Sequence, residues 1–257
     1  MIVGFVGSGN MAGAMARGWA GGGEGSPSQM LFTDAGSGRA AALADETGGE
    51  ALGSNSELVA RSDIVVLAVS PGHLDAVAGE LDSPGVLLSL LGATPLERLC
   101  GLFPGTDVLR LMPNLGVEVR KGVICVSEGG SDVKGLREQA FRALEVLGEV
   151  IELDEALMDP ATAIMGCSPA FFADVAQALA DVGTANGMEP EAALRMVALS
   201  MAGTADLLAQ KTPFEISTEV AHPGGSTEAG LKALEAAGGP EAFRAAGDAS
   251  LERMRER

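Results

Sequence analysis

Histidine, cysteine and basic residues are scarce in this chain, and each scarcity removes a class of function. With two histidines, His73 and His222, in 257 residues, the nitrogen ligands of a catalytic metal are wanting and no metal is expected. Cys100, Cys125 and Cys167 are odd in number and lack C-x-x-C spacing, which argues against a disulfide framework and a zinc site alike. Lysine and arginine total 17 against 35 aspartates and glutamates, a net charge of −18. Nucleic acid and anionic membrane demand a basic surface, so neither is an expected partner. An anionic cofactor must then be held locally, by helix N-termini and a few arginines. No apolar run reads as long enough for a bilayer span, and the first residues lack the basic, apolar and cleavage-site order of a signal peptide. A cytoplasmic protein is expected.

What is present begins at once. Met1 to Val6 reads as an apolar strand and runs into Gly7-Ser8-Gly9-Asn10-Met11-Ala12. Gly7 permits a tight turn, Gly9 lets the backbone approach a pyrophosphate, and small Ala12 lets the following helix pack on the sheet with its first N–H groups aimed at phosphate. Further strands are expected at Met30–Thr33, Asp63–Val69, Gly85–Ser89, Val108–Met112 and Gly122–Val126. Helices are expected at Arg39–Glu46, Ser56–Arg61, Leu74–Leu81, Pro95–Leu102 and Val133–Leu147. This alternation specifies an α/β unit with a mainly parallel, doubly wound sheet of the Rossmann kind. From about Glu155 strands cease and alanine- and leucine-rich helices run to the end, so residues 1–154 are read as the dinucleotide-binding domain and 155–257 as an all-α domain. Phe171–Val182 and Leu194–Leu208 are apolar on nearly every face, which points to burial across a helical dimer interface.

Five motifs carry a resemblance that runs the length of the chain. They are Gly4-Phe5-Val6-Gly7-Ser8-Gly9-Asn10-Met11, Ala68-Val69-Ser70-Pro71, Arg110-Leu111-Met112-Pro113-Asn114, Ser168-Pro169-Ala170-Phe171 and His222-Pro223-Gly224-Gly225-Ser226-Thr227-Glu228-Ala229-Gly230-Leu231. In this order they resemble pyrroline-5-carboxylate reductase. The resemblance implies an N-terminal Rossmann domain, a C-terminal helical dimerisation domain and a homodimer, in many members a decamer of five dimers. It implies NADPH or NADH as cofactor and hydride transfer to the C=N carbon of 1-pyrroline-5-carboxylate, a small cyclic imino acid, giving L-proline. The alternatives are reduction of a related cyclic imine and a non-catalytic nucleotide sensor. A β-hydroxyacid dehydrogenase would place a lysine on the first long C-terminal helix; the lysines here are Lys121, Lys134, Lys211 and Lys232, none between Ala156 and Asn186.

The resemblance also assigns residues. Thr227 matches the threonine that hydrogen-bonds the imine nitrogen, a catalytic role in orientation and proton delivery. Around it His222, Gly224, Gly225 and Ser226, with Met165 and Cys167, are expected to bind substrate, the carboxylate resting on N–H groups of a helix starting near Ser226. Gly7, Ser8, Gly9, Asn10 and Met11 are expected at the pyrophosphate, and Thr33, Asp34 and Arg39 at the adenine ribose. Asn55, Ala68, Val69, Ser70, Pro71 and Asn114 complete the cofactor set. Other roles stay open: Ser226 or Thr227 as helix caps, Asp34 as the start of a turn, His222 as a loop hydrogen-bonder, Cys167 as a packing residue. Ser70 stands where the family has lysine, Leu115-Gly116 where it has Thr-Pro, His222 where it has serine and Thr218 where it has aspartate. Met165, Cys167, Ser168 and Phe171 also depart from its pattern. These departures bear on the substrate more than on the fold.

Overall fold

A computed structural model describes residues 1–82, 84–129 and 135–256. It divides into two compact units, Met1–Gly166 with Leu251–Arg257, and Cys167–Ser250.

The first unit is built on an eight-stranded sheet of order β3-β2-β1-β4-β5-β6-β7-β8. The strands are β1 Ile2–Val6, β2 Gln29–Thr33, β3 Glu50–Ala51, β4 Ile64–Leu67, β5 Val86–Ser89, β6 Asp107–Pro113, β7 Gly122–Gly129 and β8 Gly148–Glu152. Every neighbouring pair is parallel except β6 and β7, where Leu111 faces Val126 in an antiparallel ladder. The chain winds outward in both directions from β1, which lies between β2 and β4, and the crevice at that reversal is where an open α/β sheet takes a ligand.

Among the described residues six α-helices connect these strands: α1 Asn10–Ala20, α2 Arg39–Thr47, α3 Asn55–Arg61, α4 Leu74–Ala78, α5 Leu96–Leu102 and α6 Arg137–Glu145. Both sheet faces are buried, so the central strands are apolar without alternation: all four residues of Ile64–Leu67 are fully buried. On one face Phe5 stacks on Phe32, ring centroids 5.1 Å apart, and tilts against Trp19 at 5.7 Å. The Trp19 indole N–H donates to the Ala143 carbonyl at 2.7 Å, which satisfies its one polar atom inside the core. On the other face Val6, Leu58, Leu67, Leu87 and Leu99 form a second cluster.

Most of the expected elements are present, with bounds shifted by up to four residues. Two strands were not foreseen. β3 is two residues long, and β8 is an edge strand whose Glu149 and Ile151 are exposed, so it carries little apolar signal. Val133 and Lys134, where the last helix of this half was expected to start, lie outside the described residues; α6 begins at Arg137.

After β8 the chain forms a 3-10 turn at Glu155–Leu157, α7 Met158–Ala161 and a π-helical turn at Thr162–Gly166. Met158 and Ala161 pack with Cys125 of β7. The second unit then carries α8 Ser168–Ala185, α9 Pro190–Leu208, α10 Pro213–Val220, α11 Ser226–Ala236 and α12 Gly239–Arg255, the end of α12 falling in the first unit. Its buried apolar residues are Ala176, Ala180 and Ala193 among those described. The large side chains face outward instead: Phe172, Val182, Met196, Leu199 and Phe214 are 55–79 % exposed. Such a unit has no core of its own. Phe172, Leu179, Met196, Val197, Met201 and Leu208 line an apolar groove of about 650 Å³ along α8 and α9.

One expectation needs correcting. The helical run Glu155–Ala185 contains a stretch of mean hydropathy 1.3 that by length and composition alone could cross a membrane. The chain stays helical from the 3-10 turn at Glu155 through α7 and the π turn into α8, and this continuity gives the run its length.

Candidate active site

The C-terminal ends of β1, β2 and β4 border a groove of about 710 Å³. β1 turns at Gly7, whose φ of +96° suits glycine and whose Cβ, if present, would lie 2.7 Å from the Ala68 carbonyl oxygen. The Gly7 N–H and the Ser8 hydroxyl both donate to the Thr33 carbonyl at 3.1 Å, tying the turn to β2. Gly9 is different. Its φ is −77° and a Cβ there would meet no protein atom within 4 Å, so the backbone does not require glycine. The open space beside it leaves room for a group from outside the chain to come close, and the start of α1 there has neither a side-chain cap nor an acidic residue. That donor set fits a pyrophosphate.

The far wall is a chain of hydrogen bonds. Thr33 donates from Oγ1 to Asn55 Oδ1 at 2.6 Å, and Asn55 Nδ2 donates to Glu80 Oε2 at 2.7 Å. Asn55 is thereby fixed in orientation. Asp34 accepts from the Gly36 N–H, the Ser37 hydroxyl and the Ala40 N–H, so its carboxylate shapes the turn that leads into α2. These donors, Ala40 first, hold its pKa below the usual carboxylate value against a smaller opposing effect of burial. Ala68, Val69 and Ser70 continue the wall from β4, and the Ser70 hydroxyl lies 2.6 Å from His73 Nδ1. Arg39 borders both this groove and a neighbouring cavity of about 400 Å³ that includes Asn10 and Arg17. Arg17 is held there by two bonds to Glu46, at 2.7 and 3.2 Å.

Among the described residues Met11, Pro71 and Asn114 line neither cavity. Met11 packs against the core, and Pro71 opens a 3-10 turn. Asn114 accepts from the Gly116 and Val123 N–H groups and donates to the Met165 carbonyl at 3.2 Å, so it organises the chain around β6 and the π turn. His73, Ser56 and Glu80 border the groove without having been singled out. For His73 the signal was there: Ser70-Pro71-Gly72-His73 follows β4 directly.

In the second unit, Pro223 and Gly224 form a turn closed by the Gly225 N–H donating to the His222 carbonyl at 2.9 Å, with Gly224 at φ +76°. α11 starts at Ser226 with Gly225 as its N-cap and no side-chain cap, so neither Ser226 nor Thr227 spends its hydroxyl on the helix end. Glu228 reaches back instead, accepting from the Gly224 N–H at 2.9 Å while pairing with Lys232. Lys232 first and the Gly224 N–H second hold its pKa below the ordinary value. Met165 lies in the π turn, Cys167 just ahead of α8, and His222 is exposed. Among the described residues no group of three His, Cys, Asp or Glu side chains is placed to hold a metal.

A doubly wound sheet with a phosphate-shaped turn at its switch point, followed by a helical unit without a core, defines a Rossmann-class dinucleotide-binding protein with an association module. Comparison with known proteins narrows this. Residues 155–257 match the family model described as pyrroline-5-carboxylate reductase dimerisation, and residues 2–90 that described as NADP oxidoreductase, coenzyme F420-dependent. The chain is 30 % identical over 261 residues to a pyrroline-5-carboxylate reductase of Methanosarcina acetivorans, covering 99 % of this chain and 97 % of the relative. Two solved structures share its fold at 24 % identity. One is the 1-pyrroline-5-carboxylate reductase of Streptococcus pyogenes, with TM-score 0.88 over 100 % of this chain and 99 % of that one. The other is the pyrroline carboxylate reductase of Plasmodium falciparum with NADP bound, with TM-score 0.87 over 100 % and 97 %. The chain belongs to the pyrroline-5-carboxylate reductase family. Its exposed apolar helices are that family's dimerisation region.

Proposed function

We propose that this protein reduces 1-pyrroline-5-carboxylate to L-proline with NADPH or NADH, as a cytoplasmic homodimer and in the family's ring of five dimers. We further propose a domain boundary at Asp154, a reading supported by the match of residues 155–257 to the dimerisation family model. The observation that carries the reading is the start of α11, where two hydroxyls and the first N–H groups of a helix are left uncommitted behind a glycine turn.

When bound, the nicotinamide dinucleotide supplies the hydride. Gly7, Ser8, Gly9 and Asn10, with the N-terminus of α1, hold its pyrophosphate, and Met11 supports them from the core side. Thr33, Asp34 and Arg39 meet the adenine ribose. Asn55, Ala68, Val69 and Ser70 border the nicotinamide half, Pro71 opens the 3-10 turn that follows them, and Asn114 keeps the end of β6 in place. In the loop, the backbone N–H groups of Ser226 and Thr227 receive the substrate carboxylate. The Thr227 hydroxyl donates to the lone pair of the imine nitrogen, which fixes the ring and stabilises the negative charge that develops on nitrogen as hydride adds at carbon; the proton that completes the amine is relayed from water along this hydrogen bond. Gly224 and Gly225 give the loop its curvature, and His222, Met165 and Cys167 keep the substrate-binding roles that the family resemblance implies.

Those last three positions and Ser70 are among the places where the family pattern is broken, and they favour reduction of a related cyclic imino acid as the second reading. Purified protein with NADH or NADPH and a panel of five- and six-membered cyclic imino acids tests both. Turnover is expected with the five-membered substrate. Turnover confined to another ring would select the second reading, and dinucleotide binding without turnover of any imine would leave a nucleotide sensor.

A further inference from the structure

Arg110 lies near the middle of β6 and is 4 % exposed, flanked in register by Ser89 of β5 and Ser127 of β7, both buried. Three polar residues side by side across the interior of an apolar sheet call for an explanation. Arg110 Nη1 donates to Glu155 Oε1 at 2.6 Å, and Nη2 stands 3.9 Å from Asp159 Oδ1. Glu155 Oε1 also accepts the Leu96 N–H at 3.1 Å. Arg110 Nε and Glu155 Oε2, by contrast, are buried with no hydrogen-bond partner. An ion pair between a buried guanidinium and a partly exposed carboxylate, left half satisfied, adds little to stability compared with apolar residues of the same volume, so what it supplies is position.

The segment it positions is held a second time from the same strand. Asn114, just past β6, donates to the Met165 carbonyl at 3.2 Å. Between the two anchors runs the chain from Glu155 through α7 to the π turn Thr162–Gly166, where Thr162 Oγ1 donates to the Met158 carbonyl at 2.7 Å. Turns of this kind are uncommon, and where they occur they redirect backbone and side chains at functional sites.

We propose that Arg110 is a positioning residue. With Glu155 and Asp159 it clamps the head of this segment to the sheet so that Met165 and the backbone of the π turn meet the cyclic imine in one fixed place. The proposal rests on the reading that Met165 borders the substrate. The dinucleotide groove is built on β1, β2 and β4, so loosening the clamp leaves cofactor binding alone.

The test uses full-length protein carrying Arg110→Met, Arg110→Lys, or Arg110→Met with Glu155→Gln. The double variant removes both charges while keeping an acceptor for the Leu96 N–H, so it folds even where the single variant is left with an orphaned carboxylate. Expected are an imine KM raised about 10- to 100-fold, a dinucleotide Kd within about twofold of wild type, partial recovery in Arg110→Lys, and faster amide exchange confined to residues 155–166. An unchanged imine KM in the folded double variant, or equal losses in imine and dinucleotide binding, would overturn the proposal. If wild-type protein reduces no cyclic imine, the proposed activity fails, and the exchange pattern alone decides the clamp: unchanged exchange at 155–166 refutes it.

Discussion

Asp34 accepts the backbone N–H of Ala40 at 2.9 Å, joining the end of β2 to the first turn of α2 across the wall of the dinucleotide groove. Gly36 and Ser37 add two more donors, and together they keep the carboxylate ionised and in place. A fixed negative charge where the adenine ribose is proposed to lie tolerates a 2′-hydroxyl and repels a 2′-phosphate. Asp34→Ser is therefore expected to shift the ratio of kcat/KM values toward NADPH, by about tenfold, equivalent to about 1.4 kcal/mol. A ratio that is unchanged, or that moves toward NADH, would confine Asp34 to its turn and pass the ribose to Ser37 and Arg39.

Gly7 and Gly9 make a paired test because their glycines answer to different needs. Gly7→Ala forces a Cβ onto a backbone at φ +96° and against the Ala68 carbonyl, so it is expected to cost about 1–3 kcal/mol of stability. Gly9→Ala meets only open space and should change stability by less than about 0.5 kcal/mol. Its dinucleotide Kd should rise at least about tenfold, since the added methyl occupies the approach of the pyrophosphate. Urea unfolding and cofactor titration separate the two, and unaltered cofactor affinity in Gly9→Ala would place the pyrophosphate elsewhere.

Much of this was legible in the sequence because one-dimensional signals were strong. Ile64–Leu67 and Val86–Ser89 are buried on both faces and read as unbroken apolar runs, and Gly7-Ser8-Gly9 needs only its neighbours to be recognised. β8 was missed for the opposite reason, since its glutamates face solvent at a sheet edge. Arg110 belongs to one of the motifs, but the motif assigns it no role. An arginine inside Val108-Leu109-Arg110-Leu111 is a visible anomaly, yet its partner Glu155 lies 45 residues on and only the folded sheet brings them together. The same holds for Asn114 and Met165, and for Thr33, Asn55 and Glu80, whose linkage is a property of strand order.

Thr227→Val keeps the shape of the side chain and removes the hydroxyl. Because the helix start at Ser226 draws no capping bond from Thr227, stability is expected to change little. Turnover should fall about 10- to 1000-fold while cofactor affinity holds, as for a group that acts on charge developing in the transition state. Wild-type turnover by the variant would remove Thr227 from the chemistry.

Acid should weaken the fold in a defined window. Asp34 is held low by the Ala40 N–H, Glu50 by Arg61, Glu215 by the Thr212 N–H and hydroxyl, and Glu228 by Lys232. Each folded-state value lies below the unfolded one, so the stabilisation is complete above the unfolded carboxylate range, about pH 4. It is lost as pH falls through the lower folded values. Tm is expected to be flat with respect to these groups above about pH 5.5 and to drop below about pH 4. Thr212→Ala, which dismantles the capping box on α10, should lower Tm at neutral pH and flatten part of that acid slope; an unchanged slope would show that Glu215 contributes nothing to it.

The groove along α8 and α9 exposes Met196 at 59 % and Leu199 lies nearby on the same helix at 63 %. If a second copy covers these residues, a charge placed there must be buried without a partner on assembly, which costs several kcal/mol. Met196→Glu is expected to turn a dimer into a monomer at micromolar concentration and to lower Tm with it, because a unit without its own core depends on the partner. Charge sets a second signature. Each chain carries −18, so association brings like charges together, and added salt screens that repulsion. The wild-type dimer should therefore tighten between about 0.05 and 0.5 M salt, the reverse of an interface held by ion pairs. Light scattering that finds a wild-type monomer at micromolar protein in 0.5 M salt would refute the covered-groove reading, and a Met196→Glu protein that stays dimeric would move the interface to another face of the helices.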